Sequence, residues 1–198
     1  MILTKRDISI LKFVEQYGSI SINQCSKIFF SENKYAYYQA RRRLKLLQNW
    51  KHLNRYRRDM RSETIYYIDK KLSYHSLKVL DVLAELISLG AKIKNFMQEY
   101  TIHTENKDYR VDALAEFIFK DYWYTMIIEV DMSNFTSSKK LFAINNSQHF
   151  QEKYKNTGED IFPSVLIIRQ VIPINPYHTE LFDIHYSDFT LSTLRQVF

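Results

Sequence analysis

Ser31 to Ile68 reads SENKYAYYQARRRLKLLQNWKHLNRYRRDMRSETIYYI. Taken as a helix that starts after Ser31, its first half sets Ala36, Ala40, Leu44 and Leu47 in one narrow stripe at about 3.6 residues per turn. Such a stripe faces a core. The opposite face carries Lys34, Tyr38, Arg41, Arg42 and Lys45, an array of cations and one phenol suited to phosphates and base edges. Arg43 falls beside the apolar stripe, where its stem packs and supports the fold. Tyr37 and Trp50 are read as core or flank residues. The second half, 51–68, reads as two short strands joined at Arg58-Asp59-Met60-Arg61-Ser62, which gathers Arg55, Arg57, Arg58 and Arg61 around a projecting tip. A basic helix followed by a basic hairpin predicts a winged helix-turn-helix.

Upstream, Thr4-Lys5-Arg6-Asp7 is a capping signal, with Ile8, Leu11 and Val14 following at helical spacing and Gly18 ending the helix near Tyr17. Ser21-Ile22-Asn23-Gln24 is a second capping box, and Ile22, Cys25, Ile28 and Phe29 supply the inward side of a short helix. Phe30 to Asn33 is the next break. The order helix, helix, short turn, helix, hairpin assigns 1–71 to a DNA-binding domain of the winged type. Downstream, Leu77, Val79, Leu80, Leu83, Ala84, Leu86 and Ile87 make a connecting helix within 72–90, closed by Gly90. It is apolar on more than one face and must be buried twice, either between two halves of the chain or against its copy in a homodimer.

Charge separates the halves. Residues 1–71 hold 16 Lys and Arg against 6 Asp and Glu, and residues 72–198 hold 12 against 16. The first half is expected to meet a polyanion and the second to do something else.

From Ala91 the texture turns to strands. Phe96–Ile102 is the first, 104–108 a polar turn, and Tyr109–Phe119 the second, with Val111, Ala113, Ala115, Phe117 and Phe119 expected on one side. Lys120-Asp121 turns the chain into Tyr124–Val130, an apolar central strand. A helix is expected from Ser137 or Ser138 to Tyr154, then a buried strand Val165–Ile168 and an edge strand Leu181–Tyr186. The fold class predicted is α+β, with a small mixed α/β domain over 91–198.

The chain resembles the replication-relaxation family of plasmids and integrative elements of Gram-positive bacteria. The resemblance covers most of Thr4 to Arg169. It rests on ARRRLKLLQNW with the wing ending TIYYIDKK, and on YRVDALAEF, MIIEVDMSNFTSSKKL and a later helix ending EKYK. It implies a DNA-binding protein of mobile elements, acting in replication, conjugative transfer or their transcriptional control. Its second-domain pattern is similar to a restriction-endonuclease-like core, in which an Asp and a Glu, here Asp112 and Glu129, hold Mg²⁺ and a lysine two residues after the Glu assists the water. That position is Asp131 here. Lys139 or Lys140 is a conceivable substitute from the helix, though spacing gives no argument for it. The favoured reading has no cofactor and no catalysis, with the carboxylates hydrogen-bonded or paired with Arg110 or Lys120 and the domain serving assembly or partner contact. The alternative is a metal-dependent DNA nuclease that the winged helix targets.

Other chemistries find little support. The six histidines have no partner at metal-finger spacing, and no Gly-rich phosphate loop or G-x-S-x-G occurs. Cys25 is alone and is read as a small core residue. No apolar run approaches the ~20 residues of a membrane span, and MILTKRD lacks a secretory apolar core, so a cytoplasmic, membrane-free protein is expected.

Overall fold

A computed structural model describes residues 2–104, 107–155 and 162–198. The chain divides into two compact units, 1–88 and 89–198.

In the first unit, α1 (Lys5–Tyr17) begins at a reciprocal cap. The Asp7 backbone N–H donates to Thr4 Oγ1 at 3.2 Å, and the Thr4 backbone N–H donates to Asp7 Oδ2 at 2.7 Å. Gly18 ends the helix at φ 91°, its N–H donating to Val14 O. A short strand that the sequence reading did not anticipate, β1 (Ser19–Ser21), follows. Ser21 and Gln24 then cap α2 (Ile22–Phe29) reciprocally. Cys25 is fully buried there, and burial pushes its thiol far above the ordinary range.

α3 runs from Ala36 to Asn49, starting four residues later than expected, because 31–35 folds as a turn with Asn33 Oδ1 accepting the Tyr35 N–H. Ala40, Leu44 and Leu47 are its buried stripe. β2 (Asn54–Tyr56) and β3 (Ile65–Tyr67) pair antiparallel, and β1 adds to the free side of β3, giving the order β1-β3-β2. The hairpin is therefore two strands of a three-stranded sheet.

α4 (Tyr74–Ser88), within the stretch 72–90 expected as a connecting helix, falls in this first unit. Gln24 Nε2 donates to Leu77 O (3.0 Å) and Asp81 Oδ1 (2.8 Å), and Lys27 pairs with Glu85 at 2.6 Å. These bonds seat α4 on α2. Its buried positions, Leu77, Val79, Leu80, Val82, Leu83, Ala84 and Leu86, spread over more than one face, as its pattern foretold.

The second unit is built on five strands in the order β4 (Lys92–Ile102), β5 (Tyr109–Phe119), β6 (Tyr122–Asp131), β7 (Ser164–Arg169) and β8 (Ile184–Ser187). β4, β5 and β6 run antiparallel, and β6, β7 and β8 parallel. Lys120 and Asp121 turn β5 into β6 with both φ angles positive. The single helix expected from 137 or 138 to 154 is two, α5 (Ser138–Asn145) and α6 (His149–Tyr154), interrupted where Gln148 takes φ 58°. Positions 105 and 106 of the expected polar turn lie outside the described residues.

Val111, Leu114, Ile127, Val165 and Ile167 pack with Leu141, Ile144 and Phe150 of α5 and α6 into one core. The expected alternation in β5 breaks here, because Val111 shares this core with Leu114 while Phe117 and Phe119 meet Phe198. Glu99 of the neighbouring strand has φ 51°, and Asp112 turns its carboxylate to the Val130 N–H at 2.7 Å, so the pleat does not continue regularly through this point.

Candidate nucleic-acid interface

Helical phase sets the face of α3. With Ala40, Leu44 and Leu47 sealed in the core, Tyr38, Arg41 and Arg42 point to solvent, and Lys45 lies half-buried with Nζ donating to Gln48 Oε1 at 2.7 Å. Lys34 is exposed but precedes the helix, in the turn, so it is not part of the helical face that the sequence predicted.

Arg43 stands apart from its neighbours in the run. Its Nε and Nη2 donate to the two oxygens of Asp7, a fork on a carboxylate that is wholly buried. Burial alone pushes the Asp7 carboxyl up, but Arg43 and Thr4 outweigh it and hold the acid at about 2. One aspartate therefore caps α1 and ties it to α3. The guanidinium also lies over the Trp50 ring, 5.6 Å from its centre.

The hairpin does not gather its arginines at one tip. Arg55 on β2 pairs in register with Tyr66, and Arg57 Nε donates to Thr64 Oγ1 at 2.8 Å across the base of the loop. Burial raises the Tyr66 phenol, while the charges of Arg55, Arg41 and Arg57 pull it back. Arg58 folds back over Tyr74, 4.2 Å from the ring centre, and meets Asp59 at 3.4 Å. Asp59 itself closes the tip, accepting the N–H groups of Arg61 and Ser62 and the Ser62 hydroxyl. Of the four expected at the tip, Arg61 and Arg58 belong to it, whereas Arg55 lies on β2 and Arg57 just after it.

Lys5 and Arg6 were not among the residues anticipated for this surface. They line a groove of about 590 Å³ with Gln39, Arg42 and Arg43, which extends the cationic face from α3 to the start of α1. The adjacency of Lys5-Arg6 to a capping threonine was the available signal, because residues at a helix start stand beside unpaired backbone N–H groups. Tyr37 is a flank residue, 44% exposed, with its hydroxyl against Glu63.

In the second unit Asp112 is hydrogen-bonded, accepting the Val130 N–H at 2.7 Å, and the cation beside Glu129 comes from α5. Lys140, in the first turn of α5, brings Nζ to 2.5 Å from Glu129 Oε1 and donates to Arg110 O at 2.8 Å. Burial pushes the Glu129 carboxyl up to about 7, against the pull of Lys140 and helped by Asp112 and Asp131. Asp131 accepts the backbone N–H and hydroxyl of Thr136, and its other oxygen accepts Arg169 Nε at 2.6 Å. Arg110 instead meets Glu99 on the surface, at 3.4 Å. As arranged, each acid already faces a donor: Val130 N–H on Asp112, Lys140 on Glu129, Arg169 on Asp131. Among the described residues, no three His, Cys, Asp or Glu side chains group as metal ligands, and no helix is long and apolar enough to cross a membrane. No family model, curated protein or solved structure matches this chain, so the reading of the site stands on its own residues.

Proposed function

We propose that the chain is a sequence-specific double-stranded DNA-binding protein whose first unit acts as a winged helix-turn-helix. The observation that carries this reading is that α3 presents Tyr38, Arg41 and Arg42 to solvent while the hairpin of the same unit presents Arg55, Arg57, Arg58 and Arg61. A helix and a strand that present cations together match a groove and its flanking phosphates better than they match a single small anion. Arg41 and Arg42 reach bases, while Arg55, Arg57 and the tip residues Arg58 and Arg61 hold phosphate. The resemblance described above adds the setting: a mobile element, with plasmid replication, conjugative transfer or their transcriptional control as output. A reader of this size addresses two half-sites as a homodimer, and the second unit serves as a nuclease-like scaffold for assembly or protein contact. Selection of bound duplexes from a randomised pool tests the reading; an enriched motif supports it, and uniform recovery of all sequences refutes specificity. Sedimentation that gives one monomer per bound site would refute the dimer.

One observation favours a second reading, a DNA nuclease. Lys140 supplies beside Glu129 the ammonium that the strand pattern lacks at Asp131. Prolonged incubation of supercoiled and linear DNA with Mg²⁺ or Mn²⁺ separates the two. Binding without cleavage is expected, and nicking that disappears in Asp112→Ala with Glu129→Ala would install the nuclease.

A further inference from the structure

Between the tip of the hairpin and the start of α4 lies a cleft of about 330 Å³. Its apolar lining is Ile65, Leu72 and Leu77 with the rings of Tyr56 and Tyr74, and its polar lining includes Arg58 and Lys78. The volume falls at the lower end of the range for small-molecule sites, roughly 300 to 1,000 Å³, and a mostly apolar wall with a few polar groups is their usual make-up.

The polar groups differ in how far they are engaged. Glu63 accepts the Asn23 N–H at 2.9 Å, and Asp81 accepts both Gln24 Nε2 and Lys78 Nζ at 2.8 Å. These acids already hold donors, so the cleft does not call for a cationic ligand. Arg58 has the loosest engagement of the lining charges: a long contact to Asp59, in which both side chains are at least half exposed, and the face of Tyr74. Asp59 is meanwhile occupied by Ser62 and the Arg61 N–H. A guanidinium at the mouth of an aromatic and aliphatic cleft presents two parallel donors to a carboxylate while the walls take a planar apolar body.

We infer that this cleft binds a small aromatic carboxylic acid, its ring between the tyrosine-lined walls and its carboxylate on Arg58. Occupation holds Arg58 against α4, away from any phosphate of a bound duplex. The consequence for DNA, which rests on the function proposed above, is that the acid weakens DNA binding. The hairpin tip is thereby a point where a metabolite-sized ligand regulates the reader.

The test titrates the full chain with 4-hydroxybenzoate and with its neutral amide, by calorimetry and ligand-observed NMR. Saturable binding of the acid is expected, with the amide and the Arg58→Ala variant each weaker by roughly tenfold, the scale of a lost charge-assisted pair. Arg58→Lys should recover part of the loss, and Tyr74→Ala should weaken acid and amide alike. Acid and amide binding equally, Arg58→Ala binding as wild type, or no saturation by the acid would each overturn the site. In parallel, DNA affinity is measured with and without saturating acid. Unchanged affinity with the acid bound overturns the coupling, and absence of DNA binding under all conditions overturns the DNA reading while the titration still decides the cleft.

Discussion

The two units use their cations differently. Residues 1–88 hold 17 Lys and Arg against 8 Asp and Glu, and 89–198 hold 11 against 14. In the first unit one arginine of the α3 run, Arg43, is engaged by a buried acid, and Arg41 and Arg42 are left in water. In the second, Lys140, Lys153 and Arg169 each meet an acid of the sheet: Glu129, Glu116 and Asp131. A cation already matched inside the fold has little left to offer an external phosphate, so the electrostatic outlet of the chain is its first unit. The comparison also separates two kinds of buried carboxylate. Asp7 takes donors from Thr4 N, Thr4 Oγ1 and both ends of the Arg43 fork and stays ionised. Glu129 has Lys140 on one side and the acids Asp112 and Asp131 nearby, and its carboxyl is pushed up to about 7.

The largest effect expected from this contrast is on stability. Asp7→Ala removes a cap and leaves Arg43 without its buried partner, which should cost the first unit ~3 kcal/mol or more in urea unfolding. Arg43→Ala should destabilise as well, yet below the transition neither should alter the salt dependence of DNA binding. If Asp7→Ala is neutral, the pair does not tie α1 to α3.

Next comes Arg42→Ala, at an exposed position, which should leave unfolding unchanged while costing ~1 to 3 kcal/mol of specific DNA binding. The reverse outcome, lost stability with intact binding, would exchange the roles assigned to Arg42 and Arg43.

The smallest effect is on pH dependence, and the signs oppose. The Asp7 carboxyl is lowered from 3.8 to about 2, so its contribution is present above 3.8 and is lost as pH falls through about 2. The Glu129 carboxyl is raised from 4.5 to about 7, so the folded unit keeps a proton that the unfolded chain has released. Its contribution is full below 4.5 and is lost as pH rises through about 7. Scanning calorimetry should find the second unit less stable at pH 8 than at pH 5, by a shift of roughly a few degrees, and Glu129→Gln should flatten that slope. An equally steep slope in the variant would place its origin elsewhere.

What was legible in the sequence was local. The capping boxes at Thr4 and Ser21, the stripe Ala40-Leu44-Leu47 and the turn at Lys120-Asp121 each depend on residues a few positions apart, and each appears where the pattern put it. What was not legible was paired at a distance. β1 is three residues long and exists because Tyr66 and its neighbours on β3 offer a free edge, for which a triplet carries no periodic signal. Arg43 was expected to support the fold, but its partner Asp7 lies 36 residues away and already had a role as a cap. Lys140 reaches Glu129 only because α5 folds back over the sheet, so no spacing rule linked them. Arg58 was read as projecting from the tip, and the attraction of a guanidinium for the face of Tyr74 lays it over that ring while leaving it exposed.

The exposed cations of α3 and β2 are proposed to receive duplex DNA as one surface. The direct test of this proposal is fluorescence anisotropy of the full chain on its selected duplex across a salt series, beside the charge reversal Arg41→Glu with Arg42→Glu and Arg55→Glu, all exposed positions, with folding of the variant checked by circular dichroism. Wild-type affinity should fall steeply with salt, and the reversed variant should be a folded protein whose binding is weaker by roughly a hundredfold or more with a flattened salt slope. A folded variant that binds the same duplex with wild-type affinity and slope would contradict it.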